Sequence, residues 1–193
     1  MQGYGANSPL VYVVPALGAG GYISNAGIPG ENSDAIVARW LANGATACGA
    51  APCTYVWFEG GVNDLRRQVA TPAQVVANML TAVDDALGKG YVVLWSDILP
   101  SRGSEDGMTT DAVVDATRDY NARMATACAT APRSLNPRLR CIFAYAALAD
   151  PTQLRPDGTL AGYLLPAYSR DGIHLTNAGS EALASFAVEA IRD

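Results

Sequence analysis

The chain has 193 residues, half of them apolar and 16% charged, with a formal net charge of -5, a composition that fits one compact domain spanning residues 1–193. No run of basic residues exceeds the pair Arg66-Arg67, so the electrostatic footprint that nucleic acid or anionic lipid selects is missing. No apolar stretch approaches the roughly 20 residues of a membrane span, and Met1-Gln2-Gly3-Tyr4-Gly5 has neither the basic nor the apolar region of a signal peptide; a soluble chain is expected.

In chain order, residues 10–14 (Leu-Val-Tyr-Val-Val) have high strand propensity. Residues 22–26 form the next strand candidate, and the segment after Ser33 opens a helix near Asp34. A strand over 54–59 follows. Thr71-Pro72-Ala73-Gln74 supplies an N-cap, a first-turn proline and a capping-box glutamine. Val76, Met79, Leu80, Val83 and Leu87 then fall on one helical face, with Gly88 as the stop. Residues 91–98 read as a strand, 111–130 as a helix and 140–145 as a strand. Asn177 caps a last helix lined by Leu183, Phe186, Ala187, Ala190 and Ile191. Strands alternating with helices predict an α/β domain with a mostly parallel sheet. Tyr22, Trp57, Tyr91 and Trp95 lie on or beside strands and are expected in the core. The long irregular stretches are 100–109 and 149–170.

The four cysteines form two local pairs, Cys48/Cys53 and Cys128/Cys141, as short loop-closing disulfides would. That reading places the protein in an oxidising compartment, secreted or periplasmic; four free thiols in a cytoplasmic protein remain the alternative. One histidine and no Cys-X-X-Cys make a usual zinc site unexpected. Gly18-Ala19-Gly20-Gly21 precedes a strand and leads to no Gly-Lys-Ser/Thr, so no phosphate cradle, nucleotide or other cofactor is expected.

Three segments at loop positions carry chemistry. In Asp171-Gly172-Ile173-His174 an acid and the only imidazole share one turn, so the carboxylate can fix the tautomer of a general base; a capping turn on the surface is the other reading. Trp57 to Asp64 runs as an apolar strand into Gly60-Gly61-Val62-Asn63-Asp64, where the Asn63 amide can donate to an oxyanion or merely serve a turn. In Asn25-Ala26-Gly27-Ile28-Pro29-Gly30-Glu31-Asn32-Ser33, Gly30 lets backbone approach an anion ahead of a helix.

Together, taken in chain order, the segments resemble blocks II, III and V of the SGNH/GDSL hydrolases. That resemblance covers the chain from residue 3 onward. It implies a flavodoxin-like three-layer α/β/α sandwich and a carboxylic ester hydrolase with a Ser-His-Asp triad. Asp171 and His174 would be the triad's acid and base, Gly30 and Asn63 the oxyanion-hole donors. The substrate would be a small ester: an acylated sugar, a lysophospholipid or a short-chain ester.

One block is missing. The family's first strand ends in Gly-Asp-Ser, whose serine is the nucleophile, and this chain contains no Gly-Asp-Ser. Gln2-Gly3-Tyr4-Gly5 resembles the residues that follow that block, as in a truncated chain. The nucleophile is therefore unassigned; Ser8 and Ser33 are the nearby hydroxyls. The first strand is expected to be missing or replaced, by residues 10–14 or by a strand from a second copy in a homodimer. A non-catalytic ester- or carbohydrate-binding relative on the same fold is the competing function.

Overall fold

The computed structural model describes residues 8–16, 24–44, 54–103 and 107–192. Helix α1 (Leu10–Ala16) is followed by α2 (Ser33–Asn43), strand β1 (Tyr55–Phe58) and the short α3 (Val62–Arg66). Then come α4 (Pro72–Gly88), β2 (Val92–Ser96), α5 (Asp111–Ala129), β3 (Leu139–Ile142), α6 (Tyr145–Leu148) and α7 (Asn177–Arg192). The strands pair in the order β1-β2-β3, all parallel. Phe58 sits opposite Trp95, and Ser96 opposite Ile142.

Alternate strand residues point to opposite faces, and the two faces build two cores. On one side Trp95 and Val93 pack with Trp40 of α2, Val75, Met79 and Val83 of α4, and Tyr120 and Met124 of α5. On the other, Leu94 and Ile142 pack with Val13 of α1, Leu148 of α6, and Leu183 and Ala187 of α7. A large apolar side chain fully removed from water, such as Met79 or Leu183, contributes roughly 1.5–3 kcal/mol. The expected sandwich of helices on both sides of a parallel sheet is thus present. Trp95 is fully buried, and Trp57 and Tyr91 pack against opposite clusters; Tyr22 lies outside the described residues.

The α4 start is built as the sequence specifies. Thr71 Oγ1 accepts the Gln74 amide, and the Gln74 side chain accepts the Thr71 amide at 2.8 Å. Its end differs: Gly88 is still helical, and the left-handed residue is Gly90, φ +89°. Helix α7 is capped by Thr176 rather than Asn177, because the Thr176 hydroxyl accepts the Gly179 amide at 3.2 Å. The strands are shorter than expected. β3 starts at Leu139 and ends at Ile142, after which the Ala144 and Tyr145 amides turn onto the Asp97 carboxylate.

Two strand expectations are overturned. Residues 10–14 are helical: Pro9 opens α1, its carbonyl accepting the Tyr12 amide at 3.0 Å, and Val13 is buried against α7. The apolar face earns more burial as a helix docked on α7 than its β propensity offers, so this segment fills no place in the sheet. Residues 24–26 are irregular and exposed, with the Asn25 side chain closing a turn onto the Gly27 amide at 3.0 Å; residues 22 and 23 lie outside the described ones.

Cys128 and Cys141 form a disulfide that ties the end of α5 to β3. Cys48 and Cys53 lie outside the described residues.

Candidate active site

In a parallel sheet the loops beyond the strands' carboxyl ends converge, and β1 feeds such a loop directly. Gly61 adopts φ +103°, and a Cβ there would lie 2.4 Å from Val75 Cγ1, so only glycine permits the tight entry into α3. That turn places Asn63 and Asp64 in the first turn of α3, facing the segment 28–33 that leads into α2.

Segment 28–33 is pinned to α3 along its length. Asn63 Nδ2 donates to the Glu31 carbonyl at 3.0 Å. Asp64, 2% exposed, accepts the Ser33 amide and the Ser33 hydroxyl, each at 2.8 Å. Asn78 of α4 donates to the same hydroxyl at 2.9 Å. Glu31 itself is paired with Arg39 of α2, Nε to Oε1 at 2.9 Å. Gly30 takes φ +73° on the exposed side of this clamp. The structure thus brings Gly30 and Asn63 onto adjoining backbone. Asn63 spends one of its two side-chain N–H groups on Glu31.

Asp171 and His174 are paired as well. Asp171 Oδ2 lies 2.7 Å from His174 Nδ1, while Oδ1 accepts the His174 amide at 2.8 Å and the Ile173 amide at 3.1 Å. Gly172, at φ +87°, makes the turn possible, and its amide is held by Ser169 Oγ at 2.8 Å. Partial burial acts to raise the Asp171 carboxyl, but the hydrogen bonds from His174 and Ile173 outweigh it and hold the group below the usual carboxylate range. The Arg170 amide donates to the His174 carbonyl at 2.8 Å, and Ser169 bridges to Leu175, so the turn is closed at its base just ahead of α7. The imidazole itself is about half exposed.

Of the two candidate hydroxyls, Ser33 is fully buried, with its proton committed to Asp64 Oδ1. It is a structural link between α2, α3 and α4. Ser8 is 4% exposed beside α1, its carbonyl accepting the Val11 amide at 3.1 Å. Neither is an exposed hydroxyl at a strand-to-helix elbow of the kind a nucleophile needs.

Two further carboxylates lie beyond the strand ends. Burial pushes Asp97 up to about 6, against the opposing hydrogen bonds from the Tyr145 and Ala144 amides. Burial, reinforced by the like charge of Asp97, also pushes Glu59 up. Sequence reading passed over Asp97, Asn78 and Arg67. For Arg67 a signal existed, since it stands one helical turn after Asn63 and so shares its face. Among the described residues no cluster of three or more His, Cys, Asp or Glu gathers as metal ligands would, and no helix is long and apolar enough to cross a membrane.

Comparison with solved structures places the fold. A GDSL-like lipase from Bacteroides thetaiotaomicron superposes with a TM-score of 0.72 at 19% identity, over 95% of this chain and 82% of that one. An acylhydrolase from Bacteroides fragilis gives 0.71 at 19%, over 95% and 80%. A lipolytic protein of the G-D-S-L family from Desulfitobacterium hafniense gives 0.68 at 13%, over 98% and 91%. No protein of curated function matches the sequence. At the level of sequence families, residues 1–182 match the GDSL-like lipase/acylhydrolase family, and the chain belongs to it.

Proposed function

We propose that the chain hydrolyses small carboxylic esters, with His174 as general base, Asp171 as its orienting acid, and Gly30 and Asn63 as oxyanion donors. The observation that carries this reading is the Asp171–His174 pair at 2.7 Å, on the turn that leads into α7. With its Nδ1 proton held by Asp171, the ring presents the Nε2 lone pair as base. The carbonyl oxygen of a bound ester gains negative charge as the nucleophile adds, and the Gly30 N–H with the second Asn63 N–H meets that charge. His174 then returns the proton to the departing alkoxide, and the acid is released.

The nucleophile decides the rate. Ser33 is buried and bonded to Asp64, and Ser8 is buried, so in this reading of the described residues the nucleophile is water activated by His174. Base, hole and binding without a serine retain about 10³–10⁴-fold over the uncatalysed reaction. Weak, His174-dependent hydrolysis of p-nitrophenyl acetate is the test; the same rate in wild type and His174→Ala would reject the reading.

The burial of both Ser8 and Ser33 favours a second reading, a non-catalytic relative that binds esters or acylated sugars. It predicts saturable binding of a non-hydrolysable ester analogue with no turnover and no labelling by a fluorophosphonate. The Cys128–Cys141 disulfide supports an oxidising compartment for either reading.

A further inference from the structure

Arg67 closes α3 and reaches back to the segment that carries Gly30. Its Nη1 donates to the Gly30 carbonyl at 2.6 Å and to Asn32 Oδ1 at 3.2 Å. Its Nη2 stands 3.1 Å from the point where a Cβ on Gly30 would lie, so the guanidinium rests against the Gly30 α-carbon. Four residues earlier on the same helical face, Asn63 takes the next carbonyl, that of Glu31, at 3.0 Å. Two consecutive carbonyls of an exposed loop are thus held by two side chains one turn apart.

The peptide between Gly30 and Glu31 is the informative unit. Its carbonyl is held by Arg67, and its N–H donates to the Ile28 carbonyl at 3.3 Å. Gly30, at φ +73°, has no side chain to resist rotation, and glycine populates both signs of φ with similar ease. The hydrogen bond from Arg67 therefore does what a side chain would do elsewhere. It keeps this peptide from turning over, and with the guanidinium resting against the α-carbon it holds Gly30 itself in place, the residue whose own N–H lies on the preceding Pro29–Gly30 peptide. The loop's own carboxylate, Glu31, is engaged by Arg39, which leaves the guanidinium charge unneutralised from within the loop.

We infer that Arg67 is a positioning residue for the loop that carries the oxyanion donor at Gly30: it fixes the carbonyl and α-carbon of Gly30 and adds a fixed positive charge beside the hole. The inference rests on the assignment of Gly30 as an oxyanion donor. A preorganised donor acts on the transition state more than on the ground state, so its loss is felt in kcat rather than KM.

The test uses Arg67→Leu and Arg67→Lys in the full chain, with two readouts. In Arg67→Leu, exchange of the Glu31 amide should rise tenfold or more while amides of α4 and α5 keep their rates. The kcat for p-nitrophenyl acetate should fall at least tenfold with KM changed less than twofold. Arg67→Lys, which keeps one donor and the charge, should recover most of both. An unchanged Glu31 exchange rate in Arg67→Leu overturns the inference, as does an unchanged kcat in an active protein. If wild type shows no hydrolysis at all, the esterase reading fails while the exchange result still decides whether Arg67 orients the loop.

Discussion

Asp171 holds His174 with both carboxylate oxygens: Oδ2 on the ring nitrogen Nδ1 at 2.7 Å and Oδ1 on the backbone amide at 2.8 Å. The same acid therefore orients the base and shapes the turn that presents it. The two jobs separate under mutation. Asn in place of Asp171 keeps an acceptor for the amide, but it can also present its NH2 group to the ring and favour the wrong tautomer. We expect Asp171→Asn to fold and to lose two to four orders of magnitude of any His174-dependent hydrolysis, a range anchored on the loss of about 10⁴ for the equivalent change in a serine protease triad. Steady-state rates with p-nitrophenyl acetate, beside a circular dichroism spectrum, check this; full activity in Asp171→Asn would separate the pair from the chemistry.

Ser33→Ala distinguishes a structural hydroxyl from a nucleophile. Removing it strips Asp64 and Asn78 of a partner in a buried site, a loss of about 1–3 kcal/mol. Urea unfolding should show that loss, whereas activity per folded molecule should persist within a few-fold. Complete loss of activity in a folded Ser33→Ala would make Ser33 the nucleophile after all.

Gly30→Ala puts a Cβ 3.1 Å from Arg67 on a residue at φ +73°. The left-handed conformation costs a non-glycine residue about 1–2 kcal/mol. We expect a modest fall in melting temperature together with loss of hydrolysis, because the loop relieves its strain by turning the Gly30 peptide. Unaltered kcat would remove Gly30 from the oxyanion hole.

The helices α4, α5 and α7 and the three strands were legible in the sequence, because their apolar periods coincide with what the sheet buries. Residues 10–14 were not. Val11, Val13 and Val14 favour a strand by propensity, yet Pro9 and the face offered by α7 make a helix, and neither the partner nor the docking is written locally. The Asp171–His174 pair was legible since both members lie in one tetrapeptide. The clamp on residues 30–33 was only half so: Gly30 and Asn63 stood out as motif residues, whereas Asn78 and Arg67 act across 45 and 37 positions, a distance that only the fold closes. Asp97 was hidden for the same reason, its partners lying 47 and 48 residues away.

That carboxylate gives a pH dependence of stability. With Asp97 pushed up to about 6 by burial against about 3.9 for an unfolded aspartate, the native state binds the proton more tightly. Stability therefore falls as pH rises from about 4 to about 6 and levels off above that. Glu59 shifts in the same direction and adds to the slope. Asp97→Asn should flatten it, leaving the part due to Glu59; urea midpoints at pH 4, 5, 6 and 7 measure it. An identical slope in Asp97→Asn would contradict the assignment.

The disulfide between Cys128 and Cys141 closes a sequence separation of 13 residues, for which the loop-closure entropy is worth about 3 kcal/mol. The double substitution Cys128→Ser with Cys141→Ser should lower unfolding stability by roughly that amount and leave His174-dependent hydrolysis within a few-fold, because the bond joins the end of α5 to β3 and not to the 171–174 turn. A loss of activity without a loss of stability would place the disulfide in the site.

Hydrolysis through His174 is measured as the rate with p-nitrophenyl acetate in three proteins: the wild-type chain, His174→Ala, and the chain with a strand ending in Gly-Asp-Ser fused ahead of Gln2. A weak wild-type rate abolished by His174→Ala and raised by the supplied serine is the expected result. Equal rates in wild type and His174→Ala, with no gain from the serine, would contradict it.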